Sequence, residues 1–347
     1  MITVEHLTKR YGDFTAVNDL SFEIGEGHVY GFLGPNGAGK STTMNIMTGC
    51  LSATEGRVSI YGYDIFEEPN KAKKLIGYLP EHPPLYMSET PYEYLRFVGE
   101  AKGLRGTELK NQIEQVMERT KITDVRNRCI SALSKGYKQR VGIAQALLGN
   151  PKVIILDEPT VGLDPIQIIE IRDLIKELGK THTVIFSSHI LSEVQAICDM
   201  ILIISKGKLI AFDTPENLEK MMLSSNEIII TSDADEKEIK EILAGINHIT
   251  DTDFEKKDTE YVRAHIKTDR EDIYEVSKAI FNGFASKGKV LYELALKRAN
   301  LEEVFIELTE SDTAANNSAE NGNDLKTSKS EENANDVKSA EGEVTDK

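Results

Sequence analysis

The chain has 347 residues, with 57 acidic against 41 basic side chains and a formal net charge of −16. That balance argues against binding nucleic acid by counterion release and against direct adhesion to an anionic membrane surface. Cys50, Cys129 and Cys198 form neither a metal-ligand spacing nor a disulfide framework, which points to a reducing cytosol.

The length suggests two domains; no apolar run is long enough to span a bilayer, and no charged-then-apolar leader is seen. Residues 2–7 alternate apolar and polar, as a half-buried strand does. A turn over residues 10–13 leads to a second alternating strand over 16–24. Residues 29–33 are an apolar run of the buried-strand kind. They run into Gly34, Pro35, Asn36, Gly37, Ala38, Gly39, Lys40, Ser41 and Thr42, which fit G-x-x-x-x-G-K-S. A helical pattern follows over 40–47. Strand, glycine-rich turn and helix together make a phosphate-binding loop: the glycines let backbone N–H groups converge on phosphate oxygens at the positive end of the new helix. Lys40 reaches the outer phosphates and the Ser41 hydroxyl holds Mg²⁺.

Residues 56–60 read as a strand, and 75–82 as a strand running into a proline-containing loop. From 90 to 127 the pattern is helical and polar enough for a small subdomain on the sheet surface. A helix over 138–148 stops at Asn150-Pro151. Residues 153–156 are a continuous apolar strand of the parallel-sheet type, ending in Asp157-Glu158. With a phosphate loop upstream, Asp157 is the candidate second ligand of the metal's shell and Glu158 the candidate residue that polarises water. A helix over 165–178, a strand over 183–186, a hairpin over 200–212 and a helix over 215–222 complete the first domain. Residues 225–309 then read strand, helix, strand, strand, helix, strand, a split β-α-β order, closed by an amphipathic helix with Leu301, Val304, Phe305 and Leu308 on one face. From 311 to 347 the chain is polar and acidic and cannot bury enough apolar surface to order itself.

Residues 1–222 resemble the ATP-binding subunit of an ABC transporter. The segment that carries the resemblance runs from Leu133-Ser134-Lys135-Gly136-Tyr137 to Leu156-Asp157-Glu158-Pro159-Thr160-Val161-Gly162-Leu163-Asp164-Pro165. The fold it implies is an α/β P-loop core with an antiparallel β-subdomain and a helical subdomain at about 88–148. A small α+β, ferredoxin-like domain would follow. In that family the element matched by Ser134 and Gly136 touches the γ-phosphate of ATP held by the opposite subunit, so the resemblance implies a head-to-tail dimer. Tyr11 matches the aromatic residue that stacks on adenine, Asp164 a residue that communicates across the dimer, and His189 a switch histidine at the γ-phosphate. Three positions depart from the family pattern. Lys135 stands for glycine, Tyr137 for glutamine, and Glu81 for the glutamine that meets Mg²⁺, water and the membrane subunit.

The implied activity is hydrolysis of ATP with Mg²⁺, the metal set being Ser41, Asp157 and Glu81. The implied partners are a separate permease and a second ATP-binding subunit, with no nucleic acid. The implied place is the cytoplasmic face of the plasma membrane, held peripherally through the permease. The C-terminal extension resembles that of bacterial exporter ATPases of the multidrug, sodium-efflux and gliding-motility-like groups. The competing readings are a soluble ABC ATPase of translation or repair and a nucleotide-gated regulatory protein without transport. The first lacks its second P-loop domain or its long heptad arms in this sequence.

Overall fold

The computed structural model describes residues 1–221, 226–255, 261–269 and 273–297. The amphipathic helix read at 301–308 and the tail read at 311–347 lie outside the described residues.

Two strands open the chain, β1 (Ile2–Tyr11) and β2 (Phe14–Ile24), joined at Gly12-Asp13. The strand therefore runs through Tyr11, and the turn is confined to two residues, with Gly12 at a φ of 58°. Then come β3 (Val29–Leu33), α1 (Lys40–Met47), β4 (Glu55–Ile60), β5 (Tyr63–Asp64), α2 (Pro69–Lys74) and β6 (Ile76–Leu79). Strands β2, β1, β4 and β5, in that order, form an antiparallel sheet. The helical segment resolves into α3 (Pro91–Ala101), opened by a Thr90/Glu93 capping box, and α4 (Gly106–Arg119).

The next helix, α5 (Lys135–Leu147), begins three residues earlier than the sequence pattern suggests. Ser134 is its N-cap, so Gly136 lies within the first turn instead of ahead of the helix. After it come β7 (Val153–Leu156), α6 (Pro165–Gly179), β8 (Thr183–Ser188), α7 (Leu191–Ile197), β9 (Met200–Ser205), β10 (Lys208–Asp213) and α8 (Pro215–Met221). Helices α2 and α7, of six and seven residues, are too short to show a helical period in sequence.

The second sheet has the order β10-β9-β3-β8-β7-β6, parallel throughout except for the β9–β10 hairpin. Every residue of β3, β7 and β8 is buried, which is why these strands read as unbroken apolar runs. One core joins the two sheets: Ile2, Leu20 and Phe22 from the antiparallel one meet Phe32, Ile155 and Ile185 from the parallel one. The Phe22 and Phe32 rings meet edge to face at 5.5 Å.

The remaining elements are β11 (Asn226–Ser232), α9 (Glu236–Leu243), β12 (Ile249–Glu255), β13 (Val262–Thr268), α10 (Ile273–Ser286) and β14 (Leu291–Lys297). Their sheet runs β12-β13-β11-β14, antiparallel at each pairing, so β13 lies between the two strands that α9 connects. Alternate residues Ile228, Ile230, Ala264 and Ile266 form one core with Ile239, Ile280 and Phe284 of the helices. Among the described residues no helix is long and apolar enough to cross a membrane.

Candidate active site

The carboxyl ends of β3, β8, β7 and β6, four neighbours in one sheet, all point to the same edge. Open α/β sheets bind ligands at such an edge. The phosphate-loop sequence leaves β3, Glu81 follows β6, Asp157 and Glu158 follow β7, and His189 follows β8.

The loop is shaped by its glycines. Gly37 and Gly39 have φ of 82° and 102°, which a side chain would disfavour. A Cβ on Gly34 would run into the Ile204 carbonyl, so the chain can pass there only without one. The turn closes with Ala38 N–H donating to the Pro35 carbonyl at 3.1 Å. Lys40, nearly fully buried, donates from Nζ to the Gly34 carbonyl at 2.8 Å and to the Pro35 carbonyl at 3.4 Å. Its ammonium also stands 3.4 Å from Glu158 Oε1.

Asp157 and Glu158 are both buried. The Ser41 hydroxyl donates to Asp157 Oδ1 at 3.1 Å and the Ser187 hydroxyl donates to the same oxygen at 2.6 Å. Burial pushes the Asp157 carboxyl above its ordinary range; the two hydroxyls act the other way, and the charges of Glu158 and Glu81 add to the rise. Glu158 takes a left-handed backbone, φ 46°, a conformation that typically costs about 1–3 kcal/mol and gathers at functional sites. Its N–H donates to Ser187 Oγ at 2.7 Å. Its Oε2 lies 3.0 Å from His189 Nδ1.

Part of this set lines one cleft of about 500 Å³; Gly34, Pro35, Asp157 and Ser187 are not among its lining residues. Tyr11, Asn36, Gly37, Ala38, Gly39, Lys40, Ser41, Thr42, Glu81, Glu158 and His189 all face it. Phe14 and Val161 face it as well, and sequence reading passed over both. Phe14 carried a visible signal, a second aromatic residue three positions from Tyr11 across a two-residue turn. Both rings are largely exposed, Tyr11 at 50% and Phe14 at 62%, so two flat apolar faces stand at the mouth of a polar cleft. Ser187 was also missed, because a serine ending an apolar strand carries no pattern of its own.

Ser134 and Gly136 are not among the residues lining this cleft. Ser134 accepts from Tyr137 N–H at 3.4 Å, and the Tyr137 hydroxyl donates to Asp124 at 2.7 Å. The Gln167 side chain lies where a Cβ on Gly136 would be, and the Lys135 ammonium lies where a Cβ on Gly162 would be. The first turns of α5 and α6 are thus packed together. Asp164 caps α6, accepting from Gln167 N–H at 2.9 Å.

The donor set suits Mg²⁺. This cation keeps several waters and needs only one or two protein oxygens besides phosphate. Ser41 Oγ and Asp157, hydrogen-bonded to each other, would supply those oxygens, and Glu81 lines the same cleft. Among the described residues no cluster of three or more His, Cys, Asp or Glu forms a self-sufficient metal cage.

The family model described as ABC transporter matches residues 17–161. The chain is 36% identical over 312 residues to the uncharacterized ABC transporter ATP-binding protein YhcH of Bacillus subtilis, covering 89% of this chain and 96% of that protein. It is 35% identical over 313 residues to the linearmycin resistance ATP-binding protein LnrL of the same organism, covering 89% of this chain and 98% of the relative. Among solved structures, a dimeric post-hydrolysis state of the ATP-binding cassette MJ0796, bound to ADP and Pi, superposes with a TM-score of 0.57 at 26% identity. That match covers 62% of this chain and 98% of the other.

Proposed function

The chain belongs to the ABC transporter family as one of its ATP-binding subunits, an ATPase, and from that premise we propose that it drives a separate transmembrane permease in the direction of export. The observation that carries the reading is the convergence of Lys40, Ser41, Glu158 and His189 on one cleft at the end of a parallel sheet, with buried Asp157 hydrogen-bonded to Ser41. The absence of a membrane-crossing helix among the described residues fits a subunit that acts through a partner. Export is supported by the resistance named for a relative that matches along nearly its whole length.

In this reading the nucleotide is ATP. Its phosphates lie against the N–H groups of residues 37–42, and its base lies against Tyr11 and Phe14. Lys40 meets the outer phosphates in place of the Gly34 and Pro35 carbonyls. Ser41 and Asp157 would hold Mg²⁺, with Glu81 as a further oxygen; when bound, the ion would neutralise charge on the phosphates. Glu158 polarises the attacking water. With the Lys40 ammonium drawn to phosphate, its remaining partner is His189, which orients it and reaches the γ-phosphate. Most of the rate enhancement then comes from positioning and preorganised charge.

Ser134 and Gly136 do not line the cleft of their own chain. This supports a second subunit that closes the site with its own Ser134 and Gly136, near its Asp164. The helical subdomain and the Glu81 loop carry closure to the permease, which holds the chain at the membrane's cytoplasmic face. Residues 225–309 act as an accessory domain outside the chemistry.

The test is to purify the tagged full-length chain from detergent-solubilised membranes, identify what comes with it, and measure phosphate release. A multi-spanning membrane protein in stoichiometric yield, with ATP-dependent phosphate release, is the expected result. Copurification with ribosomes or DNA instead of a membrane protein sinks the transport reading.

A further inference from the structure

The buried carboxylate of Glu193 on α7 takes no part in the reading above, yet it is only 3% exposed. Glutamate is seldom buried so completely without partners that repay its desolvation. Here the partners are two hydroxyls on two different chain segments. Thr160 Oγ1 donates to Glu193 Oε2 at 2.6 Å, and Ser188 Oγ donates to the same oxygen at 3.0 Å. Both hydroxyl residues are themselves buried. Thr160 is two residues beyond Glu158, and Ser188 immediately precedes His189.

We propose that Glu193 is a positioning residue for hydrolysis: it clamps the turn that carries Glu158 to the turn that carries His189, so that the two side chains keep a fixed mutual geometry. The proposal rests on the ATPase reading of the cleft. The β7–β8 ladder ends at the pair Leu156↔Phe186. Beyond it the chain at 157–161 leaves the sheet in a strained turn, with Val161 N–H donating back to the Glu158 carbonyl at 3.2 Å. Strand pairing therefore cannot hold that turn beside 187–189. Side-chain bonds do so in two places. Near the cleft, Ser187 links Asp157 and Glu158 to β8. Outside the cleft lining, Glu193 links Thr160 to Ser188. Ser188 Oγ also accepts from Ile190 N–H at 3.0 Å, which fixes the path of the chain just after His189. The segments that bring His189 and Glu158 to 3.0 Å are thus tied together by two sets of side-chain bonds.

The clamp needs an oxygen that accepts from two hydroxyls at once, at the reach of a glutamate side chain. Glutamine supplies an equivalent carbonyl oxygen; alanine supplies none and leaves two buried hydroxyls unpaired. Nucleotide affinity is held elsewhere, by the 34–42 loop and the aromatic pair, so loss of the clamp falls on turnover. Kinetics on Glu193→Ala, Glu193→Gln and the double variant Thr160→Val/Ser188→Ala test this. In Glu193→Ala, kcat falls roughly 10- to 100-fold with KM for ATP within about threefold of the parent. Glu193→Gln recovers most of the lost kcat. Thr160→Val/Ser188→Ala reproduces the loss, and adding Glu193→Ala to it brings no further fall, since all three belong to one unit.

A Glu193→Ala enzyme with lowered melting temperature but unchanged kcat per folded molecule overturns the proposal. So does a fully additive triple variant, or a Glu193→Gln enzyme as slow as Glu193→Ala. If Glu193→Ala does not fold, the hydroxyl double variant and Glu193→Gln decide the matter alone. A parent chain that releases no phosphate, alone or with its permease, fails the ATPase reading instead.

Discussion

The nucleotide-binding core and the β11–β14 region, proposed above as an accessory domain, are both made by packing helices on a sheet, yet they treat polar groups in opposite ways. Beyond the carboxyl ends of β3, β7 and β8 the core buries Lys40, Asp157, Glu158 and Glu193. They are held by short hydroxyl and ammonium contacts. Among the described residues of the accessory domain, the fully buried polar side chains are Ser232 and Thr268 alone. Its charges pair in partial exposure, as Arg263 with Glu293 at 3.4 Å and Lys289 with Glu238 at 2.7 Å. A parallel sheet gathers loop ends at one edge, and the core keeps costly charges there because a ligand will use them. The antiparallel sheet has no such edge and pairs its charges half-buried at its surface.

The sharpest way to break this contrast is in the rates. Glu158→Gln keeps the side chain's size and removes its basicity, so phosphate release should fall by about two to four orders of magnitude while nucleotide binding persists. Single-turnover phosphate release beside fluorescent-nucleotide titration checks both halves; normal turnover would remove Glu158 from its role. Phe284→Ala probes the other region. Phe284 is fully buried under the accessory sheet, and its truncation should cost about 3–5 kcal/mol of that domain's stability. Turnover measured below the first thermal transition should be unchanged. If turnover falls with the lost stability, the accessory domain is energetically part of the site and the contrast fails.

A smaller effect is expected where the core meets solvent. Tyr11→Ala and Phe14→Ala each remove one flat face worth about 0.5–1.5 kcal/mol, roughly two- to tenfold in KM for ATP, with kcat intact. Equal effects would make the base site a pair of rings. An effect confined to Tyr11 would restore the single stacking residue that sequence reading expects.

That difference shows what could be read from the chain alone. The 34–42 loop, Asp157-Glu158 and the strands beneath them are legible because short-range spacing fixes them: glycines at set intervals, and a buried strand ending in acids. The accessory strands are legible for the same reason, as alternation and turn residues mark each one. Ser187, Thr160 and Glu193 are not legible. Their roles arise from pairing between segments about 30 residues apart in sequence, and nothing in a single chain's spacing says which hydroxyl will face which carboxylate. The start of α5 at Lys135 is obscured by Gly136, a poor helix former in its first turn.

The finest test compares the sign of a pH effect in the two regions. Burial raises the Asp157 carboxyl above its unfolded value. Its contribution to stability is therefore fully present only below the unfolded pKa, and is lost as pH climbs through the raised folded one. Asp157→Asn, whose amide oxygen still accepts from Ser41 and Ser187, should melt above the parent at neutral pH without nucleotide. That advantage should fade on acidification through the carboxylate range, and hydrolysis should be lost throughout. Glu238 has the opposite sign: its hydrogen bond from Lys289 holds the carboxyl below its ordinary range. Its contribution is present above the unfolded pKa and is lost as pH falls through the depressed folded one. Glu238→Gln should therefore melt slightly below the parent at neutral pH and match it in acid. Thermal melts of the three proteins across a pH series read both slopes. If Asp157→Asn and Glu238→Gln shift in the same direction, hydroxyl bonding outweighs burial at Asp157, and the core does not hold its charges at a cost to its own stability.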